Sequence, residues 1–208
     1  MSAHTLLLAR HGQSEGNKLN VYSGWRDFAL TEQGIAEARA AGRLLHAQGV
    51  RVDAAFTSGL QRAASTCQLM LAELGQSDLP VTANMALNER DYGALVGLNK
   101  AESVTQFGAE QVQAWRRSFA VAPPEGESLR DTVARVLPYY VHIILPVVMR
   151  HKTTLVVAHG NSLRALIMAL EGHTPESITK VELATGEIRS FELDASTTIV
   201  ASAVLQVA

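Results

Sequence analysis

The chain has 208 residues, of which 47% are hydrophobic and 18% charged, and its net charge is −2. These values are ordinary for a globular protein that buries on the order of 70% of its unfolded surface, and they give no electrostatic reason to expect nucleic acid or an anionic membrane as a partner. A single cysteine, Cys67, excludes an internal disulfide and a cysteine-based metal site, and the seven histidines show neither H-x-H nor H-x-x-x-H spacing, so no metal is indicated.

Residues 5–9, TLLLA, are a continuous apolar run, which predicts a strand buried on both faces. The run lacks the length and cleavage pattern of a signal peptide. Thr31 is placed to cap a helix that ends near Gln48, with Gly49 as its stop and Ile35, Ala38, Gly42 and Leu45 as its apolar stripe. Residues 54–58 predict a second buried strand, 60–74 a helix closed by Gly75, and the region of Val81 a third, short strand. Within that helix Cys67 reads as a packed thiol. Residues 88–97 have little periodicity and read as loop, and a helical pattern returns over 100–119.

The stretch AVAPPEGES, 120–128, is a loop by composition. Ser128 followed by Asp131 resembles a capping box and starts a long helix that Pro138 and Pro146 kink or segment. Its apolar part, 139–149, is too short to span a bilayer and carries His142 and Pro146. A strand over 154–158 and a helix to about Leu170 follow, and segments 180–194 and 197–207 read as two or three edge strands around a Thr-Gly turn. Strands alternate with helices throughout. The expectation is one α/β domain over 1–208, a three-layer α/β/α sandwich with a mostly parallel sheet, in the cytoplasm by default.

Two of the predicted strands end in the same way. ARHG closes the first at His11-Gly12, and AHGN closes the later one at His159-Gly160. Ligands of open α/β sheets bind beyond the carboxyl ends of the strands, so neighbouring strands would aim both histidines at one pocket. A glycine after each allows a sharp turn and close approach of the backbone. Arginine dominates the basic residues: only four of the 18 are lysines. Its planar fork suits phosphate and carboxylate. Arg10, Arg62, Arg90, Lys100, Arg116 and Arg117 fall in strand-end, loop or helix-edge segments, and gathered around two histidines they would bind a polyanion. Cations at that density stabilise a phosphoryl group as a metal does elsewhere.

The RHG at 10–12 with the HGN at 159–161 resembles the histidine phosphatase superfamily. LNERDYG at 87–93, GLNKAE at 97–102 and WRRS at 115–118 are more specific and resemble the cofactor-dependent phosphoglycerate mutases, as do SGWRDFALTEQG at 23–34 and PPEGESLRDT at 123–132. The resemblance implies a phosphoglycerate mutase-like fold and the interconversion of 3-phosphoglycerate and 2-phosphoglycerate in glycolysis and gluconeogenesis. It implies a phosphohistidine at His11, with 2,3-bisphosphoglycerate as phosphoryl primer and intermediate. It also implies Glu89 as general acid/base, its pKa raised by burial beside anionic substrate, and a protonated His159 that steadies the phosphoryl group in flight. Arg10, Arg62 and Asn17 would hold the transferring oxygens. Ser14, Ser23, Gly24, Arg90, Tyr92, Lys100, Arg116, Arg117, Gly160 and Asn161 complete the implied binding set. The family's members are often dimers or tetramers, which leaves a homo-oligomer open.

Three features depart from the longer mutases. Gly16 stands where they carry tryptophan, which would widen the pocket and admit water. Only FAVA, 119–122, separates WRRS from PPEGES, and the chain ends soon after its last predicted strand. The alternative reading is a histidine phosphatase hydrolysing a small phosphorylated metabolite, and a binding protein without turnover is a third.

Overall fold

Leu6 and Leu8 of the first strand are buried in one apolar cluster and Leu7 and Ala9 in another, so this strand has a core on each face. The computed structural model describes residues 4–205. In chain order the elements are β1 (His4–Arg10), α1 (Glu15–Lys18), α2 (Glu32–Ala47), β2 (Ala54–Thr57), α3 (Gln61–Glu73), β3 (Val81–Ala83), α4 (Lys100–Phe107), α5 (Ala109–Arg117), α6 (Leu129–Tyr139), α7 (Leu145–Val148), β4 (Thr153–Ala158), α8 (Gly160–Leu170), α9 (Pro175–Ile178), β5 (Ile188–Leu193) and β6 (Ile199–Leu205).

The six strands form one sheet in the order β3-β2-β4-β1-β5-β6. The first four are parallel, and β5 and β6 extend the sheet antiparallel. One face is covered by α2 and α3 through Ala41, Leu45, Cys67, Met70 and Leu71. The other is covered by α6, α7 and α8 through Val136, Val148, Leu163, Leu166 and Ile167. This is the three-layer sandwich that the alternation of elements predicts. Each fully buried aliphatic side chain contributes roughly 1.5–3 kcal/mol of transfer free energy. Burial also pushes the Cys67 thiol up to about 12, which leaves it unreactive.

Local chemistry accounts for the boundaries. The Thr31 hydroxyl accepts from Gly34 N at 3.1 Å and starts α2. Ser128 and Asp131 form a reciprocal capping box at α6. Pro138 does not end that helix. The turn over Tyr140–Ile144 widens to a π-helix, and α7 continues with Pro146 in its first turn. The continuous helix Leu129–Val148 has 20 residues and a mean hydropathy of 1.2, long enough to cross a bilayer by length and composition, while one side of it packs on the sheet.

Four expectations are corrected. Ile35 is exposed, because the buried stripe of α2 runs through Gly34, Ala38, Ala41, Gly42 and Leu45. The pattern over 100–119 is two helices, broken where Gly108 adopts φ +83°. The segment 88–97 contains a short 3₁₀ turn, Gly93–Leu95. Residues 180–187 form no strand: they cross the sheet's carboxyl end as a loop. Residues 206 and 207 of the last predicted strand lie outside the described residues.

Candidate active site

β1 and β4 pair in parallel with Arg10 opposite Ala158, so the next residues, His11 and His159, leave the sheet side by side. The His11 backbone N–H still donates to the Ala158 carbonyl at 3.0 Å. The two rings lie 4.9 Å apart between centroids, tilted by 59°. β2 ends beside them and supplies Ser58, and the first turn of α3 supplies Arg62. A Cβ on Gly12 would lie 2.2 Å from the Gly34 carbonyl oxygen, so only glycine lets β1 turn against α2.

Hydrogen bonding fixes the His11 tautomer. Nδ1 is 2.7 Å from the Gly12 carbonyl oxygen, which can only accept, so Nδ1 carries the proton and Nε2 keeps its lone pair. Burial, then the charges of His159, Arg10 and Arg62, push His11 well below the ordinary histidine pKa, against a smaller upward pull from the Gly12 bond. The ring is a neutral nucleophile at pH 7. His159 Nε2 is engaged by Ser58 Oγ at 2.7 Å, and its Nδ1 is buried without a partner among the described residues. Burial and the charges of Arg62, Arg10 and Arg135 also push His159 well down. In the free protein His159 is therefore neutral, because it is buried and the charges of Arg62, Arg10 and Arg135 oppose a further cation.

Glu89 sits on the other side of His11. Its Oε1 accepts from Arg90 N at 2.7 Å, Asn161 N at 3.1 Å and Asn161 Nδ2 at 2.9 Å. Burial alone pushes this carboxyl up, but those donors, with Arg62 and Arg10, outweigh it and leave the pKa lowered. In the free protein Glu89 is therefore a carboxylate.

These groups face a cavity of about 160 Å³ lined by both ends of the site. The sheet side supplies Arg10, His11, Arg62 and Glu89, and the α4–α5 side supplies Lys100, Arg116 and Arg117. With Arg164, six basic side chains stand against two carboxylates, Glu89 and Glu182. Arg62 is 1% exposed and held by the carbonyls of Gly24 at 2.9 Å and Arg26 at 3.0 Å. Arg10 Nε is buried without a partner among the described residues, an unspent donor beside His11. Such a constellation binds a phosphoryl group next to a nitrogen nucleophile, with a base at hand.

The family model of the histidine phosphatase superfamily (branch 1) matches residues 6–204. The chain belongs to that superfamily. Within it, a 2,3-bisphosphoglycerate-dependent phosphoglycerate mutase of Xanthobacter autotrophicus is 59% identical over 199 residues, 96% of each chain. A protein of the same name from Brucella anthropi is 57% identical over 204 residues, 98% of this chain and 99% of the relative. Among solved structures of histidine phosphatases, the alpha-ribazole phosphatase of Shigella flexneri superposes with a TM-score of 0.81 at 27% identity, covering 98% of this chain and 95% of that one. A mycobacterial glucosyl-3-phosphoglycerate phosphatase complexed with VO3 superposes with a TM-score of 0.81 at 25% identity, covering 97% of both chains.

Of the residues singled out in the sequence of this histidine phosphatase, Arg10, His11, Asn17, Ser23, Gly24, Arg62, Glu89, Tyr92, Lys100, Arg116, Arg117, Gly160 and Asn161 line the cavity. His159 stands behind its wall, against His11. Two others are corrected. Ser14 is buried and caps α1: its N and Oγ both donate to Asn17 Oδ1, at 3.0 and 2.9 Å, which leaves the Asn17 Nδ2 donors for the cavity. Arg90 is 1% exposed and turned away, with NH1 on the Trp115 carbonyl at 3.1 Å and its guanidinium 4.6 Å from the Tyr92 ring. Gly16 does not widen the cavity either. A Cβ there would lie 2.3 Å from Ser23 Oγ and 2.8 Å from Phe28, so those side chains fill the space.

Sequence reasoning missed the residues that hold Glu89. Arg135 donates to the carbonyls of Ala86, Asn88 and Glu89 at 2.8, 3.0 and 3.0 Å and pairs with Glu127 at 2.7 Å. Trp25 Nε1 donates to the same Glu89 carbonyl at 2.7 Å. It also missed Arg164 and Glu182. The signal for Arg135 was its place one helical turn after Asp131, in the helix that Ser128 starts.

Proposed function

We propose that the protein is a 2,3-bisphosphoglycerate-dependent phosphoglycerate mutase, interconverting 3-phosphoglycerate and 2-phosphoglycerate. The observation that carries this is the two-sided cationic lining of a cavity that also holds the Glu89 carboxylate. Arg10 and Arg62 flank the nucleophile, Lys100, Arg116 and Arg117 stand on the other wall, and Glu89 accompanies them. Hydrolysis of a phosphomonoester needs the first set and a proton donor for the leaving alcohol, but not the opposite wall. A ligand with a second anionic group and a hydroxyl to deprotonate uses all three. The naming of relatives at 57–59% identity supports the same reading.

In this reading His11 Nε2 carries the phosphoryl group. The phosphorus–nitrogen bond breaks as the 2-hydroxyl oxygen of 3-phosphoglycerate bonds to phosphorus, and the hydroxyl proton passes to Glu89. Glu89 returns a proton to the 3-oxygen when the 3-phosphoryl group moves to His11 Nε2. Arg10, Arg62 and Asn17 Nδ2 receive the oxygens in flight, and His159, its ring 4.9 Å from that of His11, stabilises their charge from behind the wall. Ser23, Gly24, Tyr92, Lys100, Arg116, Arg117 and Asn161 hold the far phosphate and the carboxylate.

The primer fits the same residues, since Arg10 Nε and His159 Nδ1 are buried polar atoms without a partner among the described residues and cations line the opposite wall. When bound, 2,3-bisphosphoglycerate supplies the phosphoryl group that loads His11. No metal is part of the proposal, and the cytoplasm is the proposed location. The test is to supply 3-phosphoglycerate with and without trace bisphosphate and to follow 2-phosphoglycerate and free phosphate together. Fast isomerisation that needs the bisphosphate supports the mutase. Free phosphate without 2-phosphoglycerate replaces it with a phosphatase.

A further inference from the structure

Glu182 lies on the loop that crosses the carboxyl end of the sheet, where it joins two arginines of the cavity wall. One carboxylate oxygen pairs with Arg117 at the end of α5, and the other with Arg164 NH2 of α8 at 3.2 Å. All three residues line the cavity. Arg164 spends its other donors on Val181 O at 2.7 Å and Asn161 Oδ1 at 3.1 Å. Arg117 has no carboxylate partner other than Glu182 among the described residues. The protein therefore places its own carboxylate on a guanidinium that faces the ligand space.

The pair is built to open. The side chains of Glu182 and Arg117 are 64% and 40% exposed, and an ion pair in that environment is weak. Lys100 and Arg116 on the same wall, and Arg10 and Arg62 beside His11, make no ion pair among the described residues. An anion held at His11 alone leaves Glu182 in place. A ligand that reaches from His11 to the opposite wall brings its second anionic group against it.

We propose that Glu182 is a built-in anionic competitor that holds Arg117 until the far anionic group of a two-ended phosphorylated acid displaces it. Glu182 thereby sets how tightly two-ended ligands bind, without changing the affinity for one-ended anions. This rests on the mutase reading of the same cavity.

The test is calorimetric titration of the unphosphorylated protein and of Glu182→Gln with 3-phosphoglycerate, in the absence of bisphosphate so that nothing turns over, and separately with inorganic phosphate. The variant binds 3-phosphoglycerate about three- to fivefold more tightly at low salt, and the gain shrinks as added salt shortens the screening length. Its affinity for inorganic phosphate changes less than about twofold. Unchanged affinity for 3-phosphoglycerate overturns the proposal, and so does equal tightening for both ligands, which would mean a general field in place of a displaced contact. A wild-type protein that binds inorganic phosphate but not 3-phosphoglycerate overturns the mutase reading and this inference with it.

Discussion

His11 and His159 meet across neighbouring parallel strands with ring centroids 4.9 Å apart, and only His11 has a proton position fixed by a backbone carbonyl. The asymmetry divides their work. His11 presents a lone pair on Nε2, and His159 keeps an unpartnered Nδ1 for incoming charge. Replacing His11 by Gln removes the nucleophile while keeping bulk and polarity. Turnover then falls by on the order of 10⁴ or more, with no phosphoprotein formed from 2,3-bisphosphoglycerate. Phosphate incorporation measured beside turnover checks this.

The depressed histidine pKa values predict a pH response with a definite sign. Each histidine takes up its proton more readily in the unfolded chain, near pH 6.5, than in the native site. Below that value the unfolded state binds more protons, so stability is complete above about pH 6.5 and declines as pH falls toward the folded pKa values. Melting temperature should drop between pH 7.5 and 5.5. Saturating vanadate, an anion that favours protonated His159, should flatten the drop. Thermal melts across that range with and without vanadate decide it.

Glu89 is already a carboxylate, so Glu89→Gln removes both a base and a negative charge from the site. Glu89→Gln should lower kcat by about 10²–10⁴. Loading of His11 from the primer, whose leaving oxygen needs the proton that Glu89 supplies, should slow along with transfer from His11 to a hydroxyl. Rapid-quench phosphate counting separates this from a simple loss of binding.

The helical and strand pattern around the sheet was legible because burial on two faces imposes unbroken apolar runs, as in β1. The histidines were legible because strand ends in such sheets face ligands. Other features depend on contacts between distant segments. Residues 180–187 form a loop that places Glu182 against Arg117 and Arg164, and no local periodicity records that contact. In the free protein His159 is held neutral by burial and by the charges of Arg62, Arg10 and Arg135, and Glu89 is held ionised by the Arg90 and Asn161 donors with Arg62 and Arg10, a convergence that no single position records. Ser14 and Arg90 belong to recognised motifs, yet their side chains support neighbours and do not face the cavity.

Arg135 is the main support of Glu89, and it shares a half-buried ion pair with Glu127. Arg135→Met takes the guanidinium from Glu127 and from the carbonyls of Ala86 and Asn88, and leaves the Glu89 carbonyl with Trp25 Nε1 alone. The expected loss is about 3 kcal/mol of stability, with kcat reduced more than KM is raised, because Glu89 loses its position while the cationic wall stays. Chemical denaturation together with steady-state kinetics reads both effects.

The glycines of the two His-Gly pairs should behave oppositely. A Cβ on Gly12 would collide with the Gly34 carbonyl at 2.2 Å, and backbone cannot move aside cheaply. Gly12→Ala should therefore cost about 3 kcal/mol or more, or abolish folding. A Cβ on Gly160 would meet nothing closer than Glu89 Oε2 at 3.7 Å, and the position is the first residue of α8, where alanine is favourable. Gly160→Ala should keep stability within about 0.5 kcal/mol. The added methyl lies at the cavity wall beside Glu89, so it should raise KM for 3-phosphoglycerate several-fold with little change in melting temperature. Equal destabilisation by both substitutions would mean that Gly160, like Gly12, serves the backbone and not the ligand.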